Sequence, residues 1–339
     1  MKFEYVESFV LFLLSFIFIK LLQHFAKPLG LIDIPNERSV HKKPIPRGAG
    51  IAIFLAIMLV GIFTHLELIK TNIWIVVSIF LVVLVGTLDD QSYYPVSPRL
   101  KFIFIAIGTF LISYFNGLVI DDLGIYFGYH ITLGWFAIPL TLFAVIGLTN
   151  AINLIDGIDA LAGTIGLIIL TTFWIVGMTY EDLVMTHLSG GYIIALLTFL
   201  LFNTKPASIF MGDSGSLTLG FVISILAIRA IDYLPATTIL FIVAFPVMDT
   251  FFVMARRATN KLPIMQADKL HTHHILKSLF NRNSIKVVTV LGLAQITSII
   301  LGLRLSAFYD SGIDLLIFVM LGLFFYLMYI YYIYHNTLE

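Results

Sequence analysis

Asn150–Thr164 reads Asn-Ala-Ile-Asn-Leu-Ile-Asp-Gly-Ile-Asp-Ala-Leu-Ala-Gly-Thr. It lies between two apolar runs long enough to cross a bilayer. Two amides, Asn150 and Asn153, and two carboxylates, Asp156 and Asp159, follow one another at three-residue steps. On a helix, such steps keep the four groups near one face. Gly157 lets the backbone loosen there, at a helix cost of about 1 kcal/mol. Ionisable groups at a membrane end are costly and function-bearing by default. The bland alternative is a polar loop at a helix terminus. Three other segments bring acidic and basic groups to the same side, which argues against it.

The 339 residues are 59% hydrophobic and only 12% charged, far from the balance of a soluble domain. Backbone groups in lipid must be satisfied internally, so the spans are expected to be helices. Alternation strong enough for a barrel is absent. The net charge of zero gives no reason to expect a nucleic-acid partner, and the absence of cysteine excludes disulfides and thiol chemistry. No small-residue cleavage site follows the first apolar run, which reads as a retained span. Residues 1–339 are expected to form a single integral membrane domain.

Eleven spans are predicted, at 5–25, 48–66, 73–88, 101–117, 134–149, 160–179, 187–202, 214–231, 236–255, 287–306 and 313–334. The intervening segments then alternate sides. One side keeps only Lys2, Lys70, Arg229 and Arg304; the other holds the remaining 16 of the 20 Lys and Arg. The positive-inside rule makes that side cytoplasmic, with the N-terminus outside and the C-terminus inside. The expected class is an all-α polytopic membrane protein with a cytoplasmic-face active site. Outer acidic residues, among them Asp121, Asp122, Glu181, Asp182, Asp232 and Asp310, read as solvating charges. The outer segment 118–133 alternates weakly and suggests a small hairpin.

The cytoplasmic acidic groups form short motifs at span ends. Leu31–Gly50 contains prolines that forbid a continuous helix. Lys42 and Arg47 precede a Gly-containing span start, where backbone N–H groups favour phosphate. Asp89 and Asp90 follow the third span directly; adjacent carboxylates need a metal, a basic partner or one raised pKa. Arg99 and Lys101 follow, facing anionic headgroups or a lipid phosphate.

Asn203–Ser216 carries Lys205, a candidate phosphate ligand, and Asp213 at a helix start. Asp213 is either an N-cap or a hard oxygen ligand for a divalent cation such as magnesium. Phe210 reads as core or as a base-stacking ring. Asp249 lies inside an apolar run, seven residues before Arg256-Arg257, and needs a partner. His271, His273 and His274 form a His-x-His-His cluster among Lys269, Lys277 and Arg282. That basic loop suits a pyrophosphate better than zinc, which remains the alternative.

Taken together, these segments resemble the polyprenyl-phosphate N-acetylhexosamine-1-phosphate transferase family. The resemblance rests on Asp89-Asp90, Asn150–Asp159, Asn203–Ser216 with its Phe-Met-Gly-Asp, Asp249, and His271-Thr-His-His274, in family order. The stretch from Pro35 to Arg47 and the His-x-His-His form look like the N-acetylglucosamine branch. The phospho-N-acetylmuramoyl-pentapeptide translocase branch is the alternative. Ala49 and Ala160 depart from the family, standing where related sequences usually have Gly.

The resemblance implies that Asp213 holds Mg²⁺, with Mn²⁺ as the substitute, and that Asn153 is a second ligand. Asp89 and Asp90 would lie at the lipid-phosphate side, one of them deprotonating it. Asp156 and Asp159 would shape the nucleotide site, and Phe210 would stack on uracil. The histidines, Lys205 and Lys42 would hold pyrophosphate and sugar, with Arg47 and Asn150 also on the substrate side. The implied partners are UDP-N-acetylglucosamine, undecaprenyl phosphate and the lipid bilayer of the bacterial cytoplasmic membrane, with a homodimer left open. A secondary transporter is the competing class. It predicts broken helices in two related halves, and no internal repeat is present.

Overall fold

The computed structural model describes residues 2–35, 43–91, 96–263 and 270–336, the side chains of 2–4 and 336 aside. Lys42 and Lys269 lie outside the described residues. The chain forms two compact units, one of residues 1–120 and 136–230, the other of 121–135 and 231–339.

The first unit contains α1 (Lys2–Phe25), β1 (Ile32–Asp33), β2 (Ile45–Pro46), α2 (Ala49–Thr64), α3 (Leu66–Thr71), α4 (Ile73–Asp90) and α5 (Pro98–Asn116). It continues with α6 (Ala137–Ile155), α7 (Leu161–Thr179), α8 (Leu183–Asn203) and α9 (Gly212–Ala230). Helix α9 is its axis. It is apolar on all sides, as a helix surrounded by others must be, and nearly all of it is buried. Helices α2, α4, α6 and α7 pack directly on it, and α8 packs on α7 and α1. Close approach needs small residues. A Cβ on Gly86 of α4 would stand 2.5 Å from the Ser214 Cα, and one on Gly50 of α2 would collide with the backbone of Gly215.

The second unit contains β3 (Asp122–Tyr126), β4 (Tyr129–Thr132), α10 (Ala236–Ile242), α11 (Ala244–Thr259), α12 (Thr272–Leu279), α13 (Ser284–Leu305) and α14 (Ser311–Asn336). Strands β3 and β4 pair antiparallel, which is the hairpin expected for 118–133. Phe127 and Gly128 at its tip both have positive φ, 52° and 84°, as a type I′ turn requires.

Nine helices among the described residues are long and apolar enough to cross a membrane. The multi-pass helical class is as expected, but two of the eleven predicted spans are not simple ones. Segment 48–66 yields α2, only 16 residues long, about 24 Å at 1.5 Å per residue. Segment 236–255 is broken into α10 and α11, bent by 82°. Pro246 lies just past the bend, but the backbone at the break is satisfied by Gln295 of α13. Its Oε1 accepts from the Phe245 N–H at 3.0 Å and its Nε2 donates to the Ile242 carbonyl at 2.8 Å. A buried amide side chain thus replaces the helical bonds lost at the break, as a low-dielectric setting demands.

One reading of the outer charges needs correction. Asp182 is buried, not solvating: it caps α8 by accepting from the Met185 N–H at 2.9 Å and pairs with Arg229 Nε at 2.5 Å.

Candidate active site

The C-terminal turn of α4 and the N-terminal turn of α9 meet in the first unit. Asp90 is 2% exposed. Its carboxylate accepts from the backbone N–H of Asp213 at 2.8 Å and of Ser214 at 3.0 Å. It therefore caps α9 from another helix, satisfying amides that a helix start leaves open. Gly212 makes this approach possible: its φ is 71°, and a Cβ there would run into the Asp90 carboxylate. Arg47 holds the other side of the junction, donating from Nε to the Asp90 carbonyl at 2.8 Å.

The cap explains Asp213. Of its two sequence readings, the N-cap task falls to Asp90, which leaves the Asp213 side chain to face the site. Lys101, from the first turn of α5, donates to Asp213 Oδ2 at 2.5 Å and to Asp89 Oδ2 at 2.7 Å. Asn153 of α6 donates from Nδ2 to Asp213 Oδ1 at 3.2 Å and to the Ser216 hydroxyl at 2.8 Å. Asp89, Asp213 and Asn153 thus converge, each half-buried. Asn150 lies about one turn earlier on α6, also half-buried.

Asp156 terminates α6, and its backbone N–H bonds the Asn153 carbonyl at 3.2 Å. Burial, and then the charges of Asp213, Asp90 and Asp159, push its carboxyl well above the usual carboxylate range. The 156–160 turn that carries Asp159 is pinned by Asn203. The buried Asn203 side chain accepts from the Ala160 N–H at 2.7 Å and donates to the Ile209 carbonyl at 2.9 Å. Ala160 has φ 67°, a left-handed conformation that explains why glycine suits this position. On the other side of Asn203, the 204–211 loop is laced to β2. The Phe210 N–H donates to the Pro46 carbonyl at 2.8 Å and the Ala49 N–H to the Phe210 carbonyl at 3.3 Å. The Phe210 side chain is half-buried, and Lys205 is exposed on this loop.

Two of these residues have partners that the sequence does not indicate. The sequence sets Lys101 toward anionic headgroups or a lipid phosphate, not toward Asp213, and gives Asn203 no role. Both belong to one recognisable class, a polar group built into the end of an apolar helix.

Lys101 Nζ now bridges the Asp89 and Asp213 carboxylates, and Asn153 turns its Nδ2 to Asp213; with the lysine displaced and the amide turned, these side chains offer carboxylate and amide oxygens. Such hard oxygen sets fit Mg²⁺ or Mn²⁺.

The second unit has its own polar centre. Asp249 of α11 is 1% exposed. It accepts from the Thr272 N–H at 2.7 Å and bonds His271 Nδ1 at 2.8 Å. His273 is fully buried; neither ring nitrogen has a hydrogen-bond partner among the described residues, and Nδ1 lies 4.0 Å from Asp249 Oδ2. Burial, chiefly, pushes its pKa down to about 3. His274 is half-buried, its ring centroid 4.3 Å from that of His273. In this arrangement His271 holds a carboxylate.

Comparison with known proteins agrees with the geometry. Glycosyl transferase family 4 matches residues 72–231, which include the Asp89–Lys101–Asn153–Asp213 centre. The chain is 36% identical over 309 residues to the probable undecaprenyl-phosphate N-acetylglucosaminyl 1-phosphate transferase of Bacillus subtilis (strain 168), covering 87% of this chain and 84% of that protein. It is 29% identical over 323 residues to the undecaprenyl-phosphate alpha-N-acetylglucosaminyl 1-phosphate transferase of Escherichia coli (strain K12), covering 91% and 86%. The Yersinia pestis protein of the same name is 28% identical over 325 residues, covering 93% and 88%.

Fold and site therefore define a multi-pass membrane enzyme of the phosphoglycosyltransferase class. Within that class, the chain belongs to glycosyl transferase family 4, with the undecaprenyl-phosphate N-acetylglucosaminyl 1-phosphate transferases.

Proposed function

We propose that this chain transfers N-acetylglucosamine 1-phosphate from UDP-N-acetylglucosamine to undecaprenyl phosphate, starting cell-envelope polysaccharide synthesis. An oxygen of the lipid phosphate attacks the phosphorus bonded to the sugar. The new bond is the lipid–sugar pyrophosphate link; the bond broken is the one to the uridine-side phosphate, and UMP leaves with the bridging oxygen. The observation that carries this reading is the convergence of Asp89, Lys101, Asn153 and Asp213 at the capped start of α9.

Two polyanions have to meet, so positioning and charge neutralisation dominate the catalysis. Asp213 and Asn153 would hold Mg²⁺, with Mn²⁺ as substitute; Asn153 presents its oxygen after rotation of the amide. When bound, the metal neutralises and polarises phosphate oxygens. Lys101 balances Asp89 and Asp213 and donates to a phosphate oxygen that displaces a carboxylate from it. Asp89 is assigned proton acceptance at the lipid phosphate, because both oxygens of Asp90 already serve α9. Asp156 and Asp159 are assigned to the nucleotide side, with Phe210 under the base. Arg47, Asn150 and Lys205 are assigned to substrate phosphate or sugar. The charge bias of the loops supports a cytoplasmic-face site in a bacterial cytoplasmic membrane.

The test is a membrane assay with tritiated UDP-N-acetylglucosamine, undecaprenyl phosphate and Mg²⁺. Lipid-bound label with equimolar UMP, lost in Asp213→Ala, is the expected result. Transfer of a different UDP-acetamido sugar would correct the substrate. No transfer from any nucleotide sugar by folded protein would refute the proposal.

A further inference from the structure

A second cluster of ligating side chains lies in the first unit, and the proposed reaction uses none of it. Helix α1 supplies Glu7, the α2–α3 junction supplies His65, and α8 supplies His187. Glu7 Oε1 lies 2.8 Å from His65 Nε2. The His65 and His187 rings have centroids 3.8 Å apart. One ligand atom from each of the three lies within 4.8 Å of the others. All three are half-buried, and all three line one cavity of about 810 Å³, its open mouth included. Asn72, at the start of α4, lines the same cavity. Asp89 lies 17 residues further along that helix, about 25 Å away at the helical rise. This cluster and the carboxylate centre therefore mark opposite ends of α4.

The chemistry is specific. Two imidazole nitrogens and one carboxylate form a mixed nitrogen–oxygen set with one negative charge, matched to a borderline-soft divalent cation. Glu7 Oε1 also accepts from the Thr64 hydroxyl at 3.3 Å; a shared cation would use both rings and the carboxylate together. Three protein ligands leave a fourth position, and all three residues line the cavity. The wall there is apolar, with Leu11, Ile57, Ile79 and Leu188. Such a wall limits competing water and strengthens charge interactions. Independently, Tyr192 lines this cavity while only 3% exposed, and its hydroxyl has no partner among the described residues. A buried hydroxyl at a cavity wall indicates that the cavity accommodates a polar group.

We propose that Glu7, His65 and His187 bind a divalent transition cation of the zinc type, leaving its fourth position open to this cavity. The cation ties α1, α2 and α8 together at the end of the unit away from the carboxylates.

The test uses the full chain in detergent, stripped with a chelator and titrated with Co²⁺, then Zn²⁺. The expected result is about one Co²⁺ per chain with the intense visible d–d absorption of a four-coordinate site, displaced by Zn²⁺, in addition to any weakly absorbing Co²⁺ at Asp213. The absorption should vanish in the Glu7→Gln/His187→Ala double variant and persist in Asp213→Asn and in Asp249→Asn. The chain has no cysteine, so His187→Cys supplies a control against misfolding: it should bind Co²⁺ with a new near-ultraviolet thiolate band. No d–d absorption in the wild type, absorption kept in the double variant, or no thiolate band in His187→Cys would each overturn the proposal.

Discussion

Asp90 in the first unit and Asp249 in the second occupy equivalent local positions. Each is almost fully buried, and each accepts backbone N–H bonds at the start of a helix, Asp90 from Asp213 and Ser214 of α9, Asp249 from Thr272 of α12. What each leaves behind differs. Asp90 spends both oxygens on the backbone, so the neighbouring acids Asp89 and Asp213 remain half-buried and turned toward Lys101 and Asn153. Asp249 spends one oxygen on the backbone and the other on His271, enclosing the imidazoles. The first centre is a charged, accessible set that suits phosphate chemistry. The second is a closed set whose buried His273 stays neutral. A buried aspartate at a helix start is thus a positioning device in both units, and the units differ in the residues it leaves accessible.

Separating Asp89 from Asp90 attacks this comparison hardest. Asp89→Asn is expected to lower kcat about 10³-fold, the range of a lost general base, with the melting temperature unchanged. Asp90→Ala is expected to lower the melting temperature, since a lost cap costs about 1–2 kcal/mol. Equal melting losses in both variants would erase the distinction. Gly86→Ala comes next. Its methyl group would displace the backbone at Asp213 and Ser214, and a shift of about 1 Å in a site costs on the order of 10²-fold in rate. Transfer assays with purified variants would measure it.

His273 sharpens the other side. Its folded pKa of about 3 lies below the ordinary value of 6.5, so the unfolded chain binds the extra proton. The stabilisation is complete above the unfolded value and declines as pH falls below it. Between pH 7 and pH 5 the loss is about 2 kcal/mol, and His273→Gln should flatten that part of the melting profile. Ala160→Gly is the smallest effect. Relieving a left-handed alanine gains about 1–2 kcal/mol, largely offset by the greater freedom of unfolded glycine. The expected result is a small rise in melting temperature with unchanged transfer.

The helical spans, the hairpin and the acidic motifs were legible because hydropathy and turn chemistry are local. The split between Asp89 and Asp90 was not. Adjacent helical residues point about 100° apart, and which one meets α9 depends on packing allowed by Gly50 and Gly86. Lys101 reaches Asp213 across 112 positions, a pairing that spacing does not reveal. The break in the ninth predicted span was visible only as Pro246; the residue that stabilises it, Gln295, lies on another helix. Asp182 looked solvated because its partner Arg229 is 47 positions away.

The central claim is that Asp213, and not the Asp249–histidine centre, carries the catalytic metal. Electron paramagnetic resonance titration of Mn²⁺ into wild type, Asp213→Asn and Asp249→Asn in lipid nanodiscs tests it directly. The account predicts tight Mn²⁺ binding in wild type and Asp249→Asn, and its loss in Asp213→Asn together with transfer activity. Mn²⁺ retained by Asp213→Asn and lost by Asp249→Asn would contradict it.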